Sequence, residues 1–362
     1  MVRNTRYKII LKTITPLHIG SGKELRLGFD FITGLKKTYR LDVDRLIESK
    51  ADQIKPDRRG QYPLPGDLLT DEDLQNERYF RYQLSGTPKS TKSDARLKEA
   101  IKDVYDRPYI PGSSLKGAIR TALAWSVWPE VKPRVDMHRL KGALVEKEIF
   151  GKDPNHDLLK ALKVSDLVTA KTASQAMRIA NVSVVSGQSD KDIPIEMEVI
   201  RADHQFTGTL TIDNYLLQNP QAKAILKFDA KGAWLTNLCD HINHHSLDHA
   251  ERLMNWFNNR PDCVNVYNTL EQITTALQGG RPEGQAVLQV GFGGGWDGIT
   301  FGSRLQDDPQ LWPAIVRKLS QKKIDPNKPQ SFPSTRRAMR DPRNYTFARP
   351  LGWVLIEMIP LD

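Results

Sequence analysis

The sequence predicts an α+β fold in which antiparallel sheets carry helices on one face. Three observations support this. Strand-like and helix-like segments alternate irregularly, unlike the regular order of a doubly wound parallel fold. Several strand-like segments follow one another directly, which is typical of hairpins. The chain has 362 residues, of which 39% are hydrophobic, so it can bury the cores of two domains.

Local patterns place the individual elements. Runs of β-formers or alternating apolar residues predict strands, and apolar residues at helical spacing predict helices. The predicted strands span residues 7–14, 25–30, 37–43, 162–167, 176–185, 194–200, 205–212, 285–290 and 351–359. The predicted helices span residues 93–104, 140–150, 235–258, 266–277 and 311–320, with a short helix from Asp42 and a central helix from Ser113 or Ser114.

Three connections are also predicted. Residues 49–104 are polar and contain several prolines and glycines, so we expect an insertion of loops and short helices. Residues 194–200 and 205–212 are close enough to form a hairpin. Residues 334–340 contain three arginines and predict a basic loop.

The motif PGSSLKGAIR opens the central helix. Gly112 turns the chain after a proline, and Ser113 or Ser114 can cap the helix that follows. Lys116 and Arg120 lie one turn apart on one face. A helix N-terminus with free N–H groups and nearby cations favours a phosphate, whereas the alternative is a helix that only packs its apolar stripe on a sheet. No GxxxxGK[ST] pattern occurs, which disfavours a nucleotide-hydrolysing P-loop.

A glycine-serine loop follows the first predicted strand. It consists of Gly20, Ser21, Gly22 and Lys23, and His18 comes directly before it. The glycine amides and the lysine could hold a phosphate. The histidine could be a general acid or base, but a packing or hydrogen-bonding residue at a strand end is the more common role.

A second glycine-rich loop comes late in the chain, where Gly293, Gly294 and Gly295 lie between Phe292 and Trp296. It lacks the spacing and the following acid of a dinucleotide fingerprint. Its amides could form an anion-binding nest, and its aromatic rings could stack on bases. The alternative is a glycine-rich turn that packs the tryptophan into the core.

Basic residues also cluster near the C-terminus, where Arg336, Arg337, Arg340 and Arg343 precede Tyr345. Such a cluster suits a phosphate backbone, although a solvated charged loop is equally compatible. The whole chain has a formal net charge of +10, with 53 Lys and Arg against 43 Asp and Glu. This surplus suits a nucleic-acid partner, and it also suits mere solubility.

Other residue types exclude several classes of site. Cys239 and Cys263 are the only cysteines of the sequence, which excludes a disulfide framework and a four-cysteine zinc site. His241, His245 and His249 share a helix face and could chelate a metal, but they lack the glutamate of HExxH, so we expect a solvated polar face and no cofactor. Without a signal-peptide region or a membrane-spanning apolar run, we expect a soluble, cytoplasmic protein.

Together, these motifs resemble those of the RAMP superfamily of CRISPR proteins. The resemblance rests on ITPLHIGSG at residues 14–22, YIPGSSLKGAIR at 109–120, VSD at 164–166, GFGGG at 291–295 and PLGWV at 350–354. The length, the tryptophan after the late glycine loop and the last strand most resemble the fifth-subunit family of type III-A Csm effector complexes.

The resemblance implies two ferredoxin-like (RRM-like) RAMP domains, at residues 1–200, with the insertion at about 49–104, and at residues 201–362. It implies a non-catalytic subunit of a CRISPR ribonucleoprotein that caps the effector filament near the 3′ part of the CRISPR RNA (crRNA). It also implies support of crRNA maturation in antiviral defence. The implied partners are the crRNA, other Csm subunits, chiefly the backbone RAMP subunit, and host nucleases, without a membrane.

An RNA-cleaving RAMP protein, such as a backbone subunit of another type III complex, is the main alternative, because related RAMP proteins cut RNA. In the related backbone subunit, an aspartate on a loop after the first glycine motif cleaves target RNA. Asp30 lies in roughly that region, but residues 29–31 predict strand rather than loop. We therefore predict no catalytic residue. A metal-dependent enzyme built on the histidine helix is a third hypothesis.

The predicted RNA-binding residues come from the glycine loops, the central helix and the basic cluster. They are His18, Gly20, Ser21, Gly22, Lys23, Gly112, Ser113, Ser114, Lys116, Arg120, Gly293, Gly294, Gly295, Arg336, Arg337 and Arg340. Amides and cations contact phosphates without reading the bases, as a protein that holds any guide must. Aromatic residues of a standard RNA-recognition sheet are not obvious, so we do not predict base stacking on the sheet.

Overall fold

The computed structural model describes residues 4–90, 92, 94–136, 142–186, 193–319, 332–341 and 346–361. The strands are β1 (Thr5–Thr13), β2 (Gly20–Arg26), β3 (Phe31–Thr33), β4 (Lys37–Leu41), β5 (Phe80–Ser85), β6 (Arg96–Ala100), β7 (Tyr109–Ile110), β8 (Leu162–Val164), β9 (Leu167–Val168), β10 (Met177–Ser186), β11 (Ile193–Ile200), β12 (Gln205–Ile212), β13 (Gln285–Gln289), β14 (Thr335–Arg340), β15 (Phe347–Arg349) and β16 (Trp353–Leu361).

Helices connect and cover these strands. They are α1 (Val43–Ser49), α2 (Gly112–Val131), α3 (Gly142–Phe150), α4 (Ala173–Ala176), α5 (Asn214–Gln218), α6 (Pro220–Leu226), α7 (Gly232–Thr236), α8 (Leu238–Phe257), α9 (Val264–Gln278), α10 (Gly295–Ile299), α11 (Gly302–Gln306) and α12 (Leu311–Leu319). The mixed arrangement confirms the predicted α+β class. No helix in the described ranges is long and apolar enough to cross a bilayer.

The first sheet has the strand order β13–β16–β1–β12–β9–β7, and β8 also pairs with β12. Strand β1 lies between β12 and β16 and pairs with both in antiparallel registers. Ile9 therefore stands opposite both Gly208 and Met358. Alternation along β1 buries Ile9 and Leu11, while Lys12 stays exposed. The buried face packs against the apolar stripe of α2, which includes Leu115.

The second sheet has the order β2–β6–β11–β10–β5–β4–β3, and β14 pairs with β10 and β15. Most of its pairs are antiparallel, whereas β5 with β10 and β6 with β11 are parallel. Both sheets draw strands from either side of residue 200. The division into domains at residues 1–200 and 201–362 stays a prediction.

Three local predictions are wrong. Residues 194–200 and 205–212 do not form a hairpin, because β11 and β12 belong to different sheets. Residues 93–104 do not form a helix, since β6 buries Leu97 at the strand period and pairs with β2 and β11. The basic segment 334–340 is not a loop, because β14 pairs with β10 and buries Ala338.

Candidate nucleic-acid interface

Three sequence motifs meet at one place, which we call the glycine junction: residues 15–20, 290–293 and 351–353. The Phe292 N–H donates to the His18 carbonyl oxygen at 2.8 Å, and the Gly352 N–H donates to that of Pro16 at 2.9 Å. The Gly352 carbonyl accepts from the Val290 N–H at 2.8 Å. Amides of motif residues thus bond to the protein's own backbone at this junction.

Glycine is required at two positions of the junction. Gly291 has φ +73° and Gly352 has φ +82°. A Cβ atom at Gly291 would lie 2.4 Å from the His18 carbonyl oxygen, and one at Gly352 would lie 2.3 Å from that of Val290. These glycines allow a left-handed turn and the close approach of two backbones.

The late glycine loop continues from the junction into α10. Gly294 is buried, and a Cβ atom at Gly293 would lie 2.7 Å from the Leu351 Cβ. The Trp296 ring packs 4.9 Å from the Phe332 ring, centroid to centroid, in a small apolar cluster. The tryptophan is therefore packed against other apolar side chains, as the alternative of a glycine-rich turn predicts. RNA binding by Gly293, Gly294 and Gly295 stays a prediction.

His18 lies inside the junction. Its ring is buried, Nδ1 lies 2.7 Å from the Glu198 carbonyl oxygen, and its edge meets the Phe292 ring at a centroid distance of 6.0 Å. Burial lowers the pKa of His18. This is the geometry of a packing and hydrogen-bonding residue at a strand end.

A buried ion pair behind His18 was not recognised from the sequence. Lys102 Nζ lies 2.5 Å from Glu198 Oε2, and their side chains are only 4% and 1% exposed. The Tyr82 hydroxyl donates to Glu198 Oε1 at 2.7 Å, and the Ala100 N–H donates to Oε2 at 3.0 Å. Burial, followed by the charge of Glu198, raises the pKa of Tyr82. The carboxylate is thus fully engaged by the protein.

The early glycine-serine segment is the start of β2 rather than a loop. Residues Gly20, Ser21, Gly22 and Lys23 are exposed, and the register with β6 shifts between Gly20 and Glu24. The Ser21 hydroxyl donates to Glu99 Oε2 at 2.8 Å. Since β2 ends the second sheet, this segment remains open to a partner. RNA binding by these residues remains untested.

The predicted serine cap of α2 is wrong. The helix begins at Gly112 after Pro111, and no side chain of the capping residue bonds to it. Instead, Asp166 Oδ1 accepts from the Gly112 N–H at 2.8 Å. A Cβ atom at Gly112 would lie 2.4 Å from the Val164 carbonyl oxygen. A carboxylate of the VSD motif therefore takes the anion position that the helix dipole favours.

Both predicted cations of α2 have protein partners. Lys116 Nζ donates to the Leu162 carbonyl oxygen at 2.7 Å, and burial lowers its pKa. The Arg120 guanidinium pairs with Glu146 at 2.7 Å and with Asp157 at 2.8 Å. Charge reversal at Lys116 and Arg120 would break these contacts, so weakened RNA association of that variant would not separate binding from folding. Their RNA contacts, and those of Ser113 and Ser114, stay predictions.

The arginines of β14 make internal contacts as well. Arg336 is buried and pairs with Asp297 at 2.6 Å, and burial lowers its pKa. Arg337 stacks over the Phe292 ring at 4.9 Å. Arg340 Nε donates to the Ser183 hydroxyl at 3.0 Å. Arg343 and Tyr345 lie outside the described residues. These contacts tie β14 to its neighbours, and phosphate binding by the three arginines stays a prediction.

Asp30 lies in a turn between β2 and β3, so the expectation of strand is wrong at residues 29 and 30 and correct at Phe31, where β3 begins. Asp30 Oδ2 accepts from the Arg26 N–H at 2.9 Å, and Oδ1 lies 3.4 Å from Arg40 Nη1. An aspartate carboxylate that accepts from a nearby backbone N–H favours a tight turn over an extended strand. The side chain stabilises this turn.

The histidine face of α8 is not solvated, contrary to expectation. His245 and His249 are buried, and the His245 ring lies 5.4 Å from that of Trp125. His249 Nε2 lies 2.6 Å from Gln289 Oε1, and burial lowers the pKa of His245 to about 3. Among the described residues, no three His, Cys, Asp or Glu side chains gather as metal ligands.

A set of arginines far apart in sequence was also missed. Arg178, Arg201, Arg340 and Arg349 line one open cleft, which we call the arginine cleft. The only sequence signal was adjacency of residues 176–185 and 194–200, whose antiparallel pairing brings Arg178 near Arg201. No pattern connected Arg349 to this pair.

Comparison with known proteins identifies the family. The RAMP superfamily matches residues 10–296. The Csm5 protein of Streptococcus thermophilus is 31% identical over 136 residues, which cover 32% of this chain and only 37% of that relative. The Csm5 protein of Methanocaldococcus jannaschii is 23% identical over 99% of this chain and 90% of the relative.

Solved structures have the same fold. A chain of a type III-A Csm–crRNA–target RNA ternary complex matches 97% of this chain and 100% of its own length, with a TM-score of 0.66 and 22% identity. The Csm5 protein of T. onnurineus matches 95% of this chain and 99% of its own length, with a TM-score of 0.63 and 22% identity. This chain therefore belongs to the RAMP superfamily and is similar to the Csm5 proteins of type III-A CRISPR systems.

Proposed function

We propose that this chain is a non-catalytic subunit of a cytoplasmic type III-A Csm effector ribonucleoprotein and contacts the crRNA. The observation that carries the proposal is similarity to a Csm5 protein along 99% of the chain. Similarity of this extent leaves no large part of the chain for an unrelated activity.

The finer role follows the same resemblance. The chain would use two ferredoxin-like domains to cap the filament beside the backbone RAMP subunit, near the 3′ part of the crRNA, and would support crRNA maturation with host nucleases. The exposed start of β2 suits such contacts. Its glycine backbone and Lys23 lie at the end of a sheet, where another chain or a phosphate could approach.

The contacts of the two catalytic candidates favour a non-catalytic role. His18 is buried against Glu198 and Phe292, and the Asp30 carboxylate is bonded within its own turn. Among the described residues, neither side chain pairs with a second acid or base at a solvent-accessible site. The position of Asp30 in a turn is the one observation that favours the RNA-cleaving alternative.

Affinity purification from the native host tests the assembly. The full chain, tagged and expressed at its natural level, should copurify with the other Csm subunits and with crRNA, detected by mass spectrometry and RNA sequencing. A tagged chain that is folded but purifies without either partner would contradict the proposal.

Incubation of the purified chain with labelled RNA tests the absence of catalysis. We expect no cleavage by the wild type, with or without divalent metal. Cleavage that disappears in the Asp30→Asn variant would instead support the RNA-cleaving alternative. The asparagine keeps the acceptor for the Arg26 N–H, so the variant should retain the turn.

A further inference from the structure

The arginine cleft lies where the start of β10, the end of β11, β14–β15 and helix α9 meet. Its volume is about 820 Å³. Arg178, Arg201, Arg340 and Arg349 contribute cations, and Asp341 is the carboxylate among the lining residues. The cleft is therefore strongly basic, although no glycine motif marks it.

Three of the arginines in this cleft, Arg178, Arg201 and Arg349, have no ion pair among the described residues. Arg178 Nε donates to the Ile179 carbonyl oxygen at 3.3 Å, and Arg201 donates to the Met177 carbonyl oxygen at 3.0 Å and to the Ser85 hydroxyl at 2.8 Å. In the described part of the chain, neither these two arginines nor Arg349 has a carboxylate within 4.0 Å. Elsewhere, arginines such as Arg120, Arg252 and Arg336 each pair with an acid.

The three arginines also act on one another. Burial and the positive charge of Arg201, assisted by Arg349 and opposed by Asp341, lower the pKa of Arg178. Like charges gathered in a half-buried cleft repel one another, and an anion that enters the cleft removes this cost. The arrangement is thus typical of a site for a negatively charged ligand.

The part of the cleft that α9 lines is polar and uncharged. Asn265, Asn268, Thr269 and Gln272 lie at positions i, i+3, i+4 and i+7 of α9 and line the cleft together. Their spacing places them on one helix face, while residues such as Leu270 are buried on another. Side-chain amides both donate and accept hydrogen bonds, so these residues can pair with a ligand that offers donors as well as acceptors.

The cleft continues along the surface at Arg201. This residue also lines a second cleft of about 410 Å³ together with Lys37, Arg81 and Glu77. In that cleft Arg81 pairs with Asp106 at 2.6 Å, so Lys37 and Arg201 are its cations without a carboxylate partner among the described residues. Arg201 is thus shared by two open clefts, so the surface around it is longer than an isolated pocket for a small anion. A polymer fits this shape better than a single phosphate does.

We propose that the arginine cleft binds a segment of single-stranded RNA, with Arg178, Arg201 and Arg349 at its phosphates and the α9 amides at its riboses and base edges. RNA supplies a phosphate at every nucleotide for the arginines and 2′-hydroxyl and base N–H donors for the amide oxygens, whereas an acidic polypeptide carries its charges on separate flexible side chains. This inference rests on the proposed function for an RNA-containing partner, and it adds the residues and the path.

Binding of a fluorescently labelled oligouridylate of about 12 nucleotides to the purified full chain tests the cleft, measured by anisotropy over a salt series. In Arg178→Ala/Arg349→Ala, affinity should fall at least about tenfold at low salt, and the salt slope should shrink by about 1.4, since each phosphate contact contributes about 0.7 for a single strand. The exposed pair Arg58→Ala/Arg59→Ala loses the same charge outside both clefts and should bind within about twofold of the wild type.

Arg349→Glu keeps the test valid if loss of the half-buried Arg178 disturbs folding, because Arg349 is exposed. It should weaken RNA binding without changing the melting temperature. Asn268→Ala, on the α9 side of the cleft, should reduce the preference for RNA over oligodeoxythymidylate. Equal losses for both ligands would remove the ribose contacts from the proposal.

Three results would overturn the cleft as an RNA site. They are a wild-type chain that binds no oligouridylate, cleft variants that bind like the Arg58/Arg59 control, and cleft variants that keep RNA affinity but lose a partner subunit. The last would identify an acidic polypeptide as the ligand. Copurification of wild-type chain with Csm subunits and crRNA is scored separately, so failure of the cleft and failure of the proposed function are distinguishable.

Discussion

The glycine junction and the arginine cleft use similar chemistry for opposite purposes. At the junction, amides of residues such as Phe292 and Gly352 already bond to protein carbonyls, and the nearby Lys102 already pairs with Glu198. In the cleft, Arg178 and Arg349 face solvent without a carboxylate partner among the described residues. The polar groups of the first region are bonded within the protein, whereas in the second region one carboxylate, Asp341, faces several arginines among the described lining residues.

The difference teaches where recognisable motifs come from in this chain. A glycine such as Gly291 stands out in the sequence because two backbones touch there, and contact of that kind tolerates no side chain. Phosphate contacts make weaker demands, since an arginine reaches a phosphate from many backbone positions. Substitutions at the junction should therefore change stability, and substitutions in the cleft should change RNA affinity.

The largest expected effect comes from Lys102→Met, which leaves the buried Glu198 carboxylate without its cation. Breaking a buried pair in this way costs about 3–5 kcal/mol of the free energy of unfolding. Urea unfolding monitored by tryptophan fluorescence measures the loss. The matched control is Lys98→Met, because Lys98 pairs with Glu24 on the surface. That pair should contribute less than about 1 kcal/mol.

Equal losses in the two lysine variants would contradict the distinction between the regions, since Lys102 would then behave as a surface residue. At a temperature where the Lys102→Met variant remains folded, its affinity for oligouridylate should match that of the wild type. Loss of RNA affinity in that folded variant would place the ligand at the junction instead of the cleft.

Gly291→Ala should have the next largest effect, compared with Gly22→Ala. Both glycines have positive φ, +73° and +88°, so alanine costs roughly 1–2 kcal/mol at either position. A Cβ atom at Gly22 meets no atom within 4 Å, whereas at Gly291 it meets the His18 carbonyl oxygen at 2.4 Å. We therefore expect a total cost of about 2–4 kcal/mol for Gly291→Ala, measured by the same unfolding experiment.

Comparable destabilisation by the two alanine variants would mean that the junction relaxes easily and that its glycines are not held by backbone contact. Because Gly22 lies on the exposed start of β2, its variant also tests the predicted RNA contacts of that segment. Weaker RNA binding by folded Gly22→Ala would extend the RNA path from the cleft to β2.

Local periodicity predicted the elements better than it predicted their partners. Residues 205–212 were identified as a strand and coincide with β12, because alternation is a property of the segment itself. The same segment was paired with the wrong neighbour, since its real partners are β1, β8 and β9. Pairing of β1 with β12 and β16 depends on contacts across almost the whole chain, which local patterns do not contain.

The candidate site divides in the same way. The glycine motifs were recognised from the sequence, but the partners of their N–H groups and cations were not. These partners include Asp166 and Glu146, which lie far from their α2 partners in the sequence. The arginine cleft could not be found from any single segment. Its members become neighbours only when the second sheet and α9 are assembled.

The smallest expected effect concerns pH and the histidines behind the junction. His245 packs beside His249, whose ring stacks on that of Trp353 at 5.6 Å, and the backbone N–H of Trp353 donates to the Thr15 hydroxyl. Burial lowers the pKa of His245 to about 3 in the folded chain, against 6.5 for an ordinary histidine. Below pH 6.5 the unfolded chain takes up a proton that the folded chain refuses, so stability falls as the pH falls towards 3.

His245→Phe keeps an aromatic ring in this place and removes the titration. The wild type should lose about 1 kcal/mol at this site between about pH 7.5 and about pH 5.5, because each unit below the unfolded pKa costs up to about 1.4 kcal/mol. Urea unfolding at both values should show a smaller difference for the variant, with a remainder from the other buried histidines, whose pKa values are also lowered. An unchanged difference would mean that water reaches His245, and the region behind the junction would then be as open as the cleft.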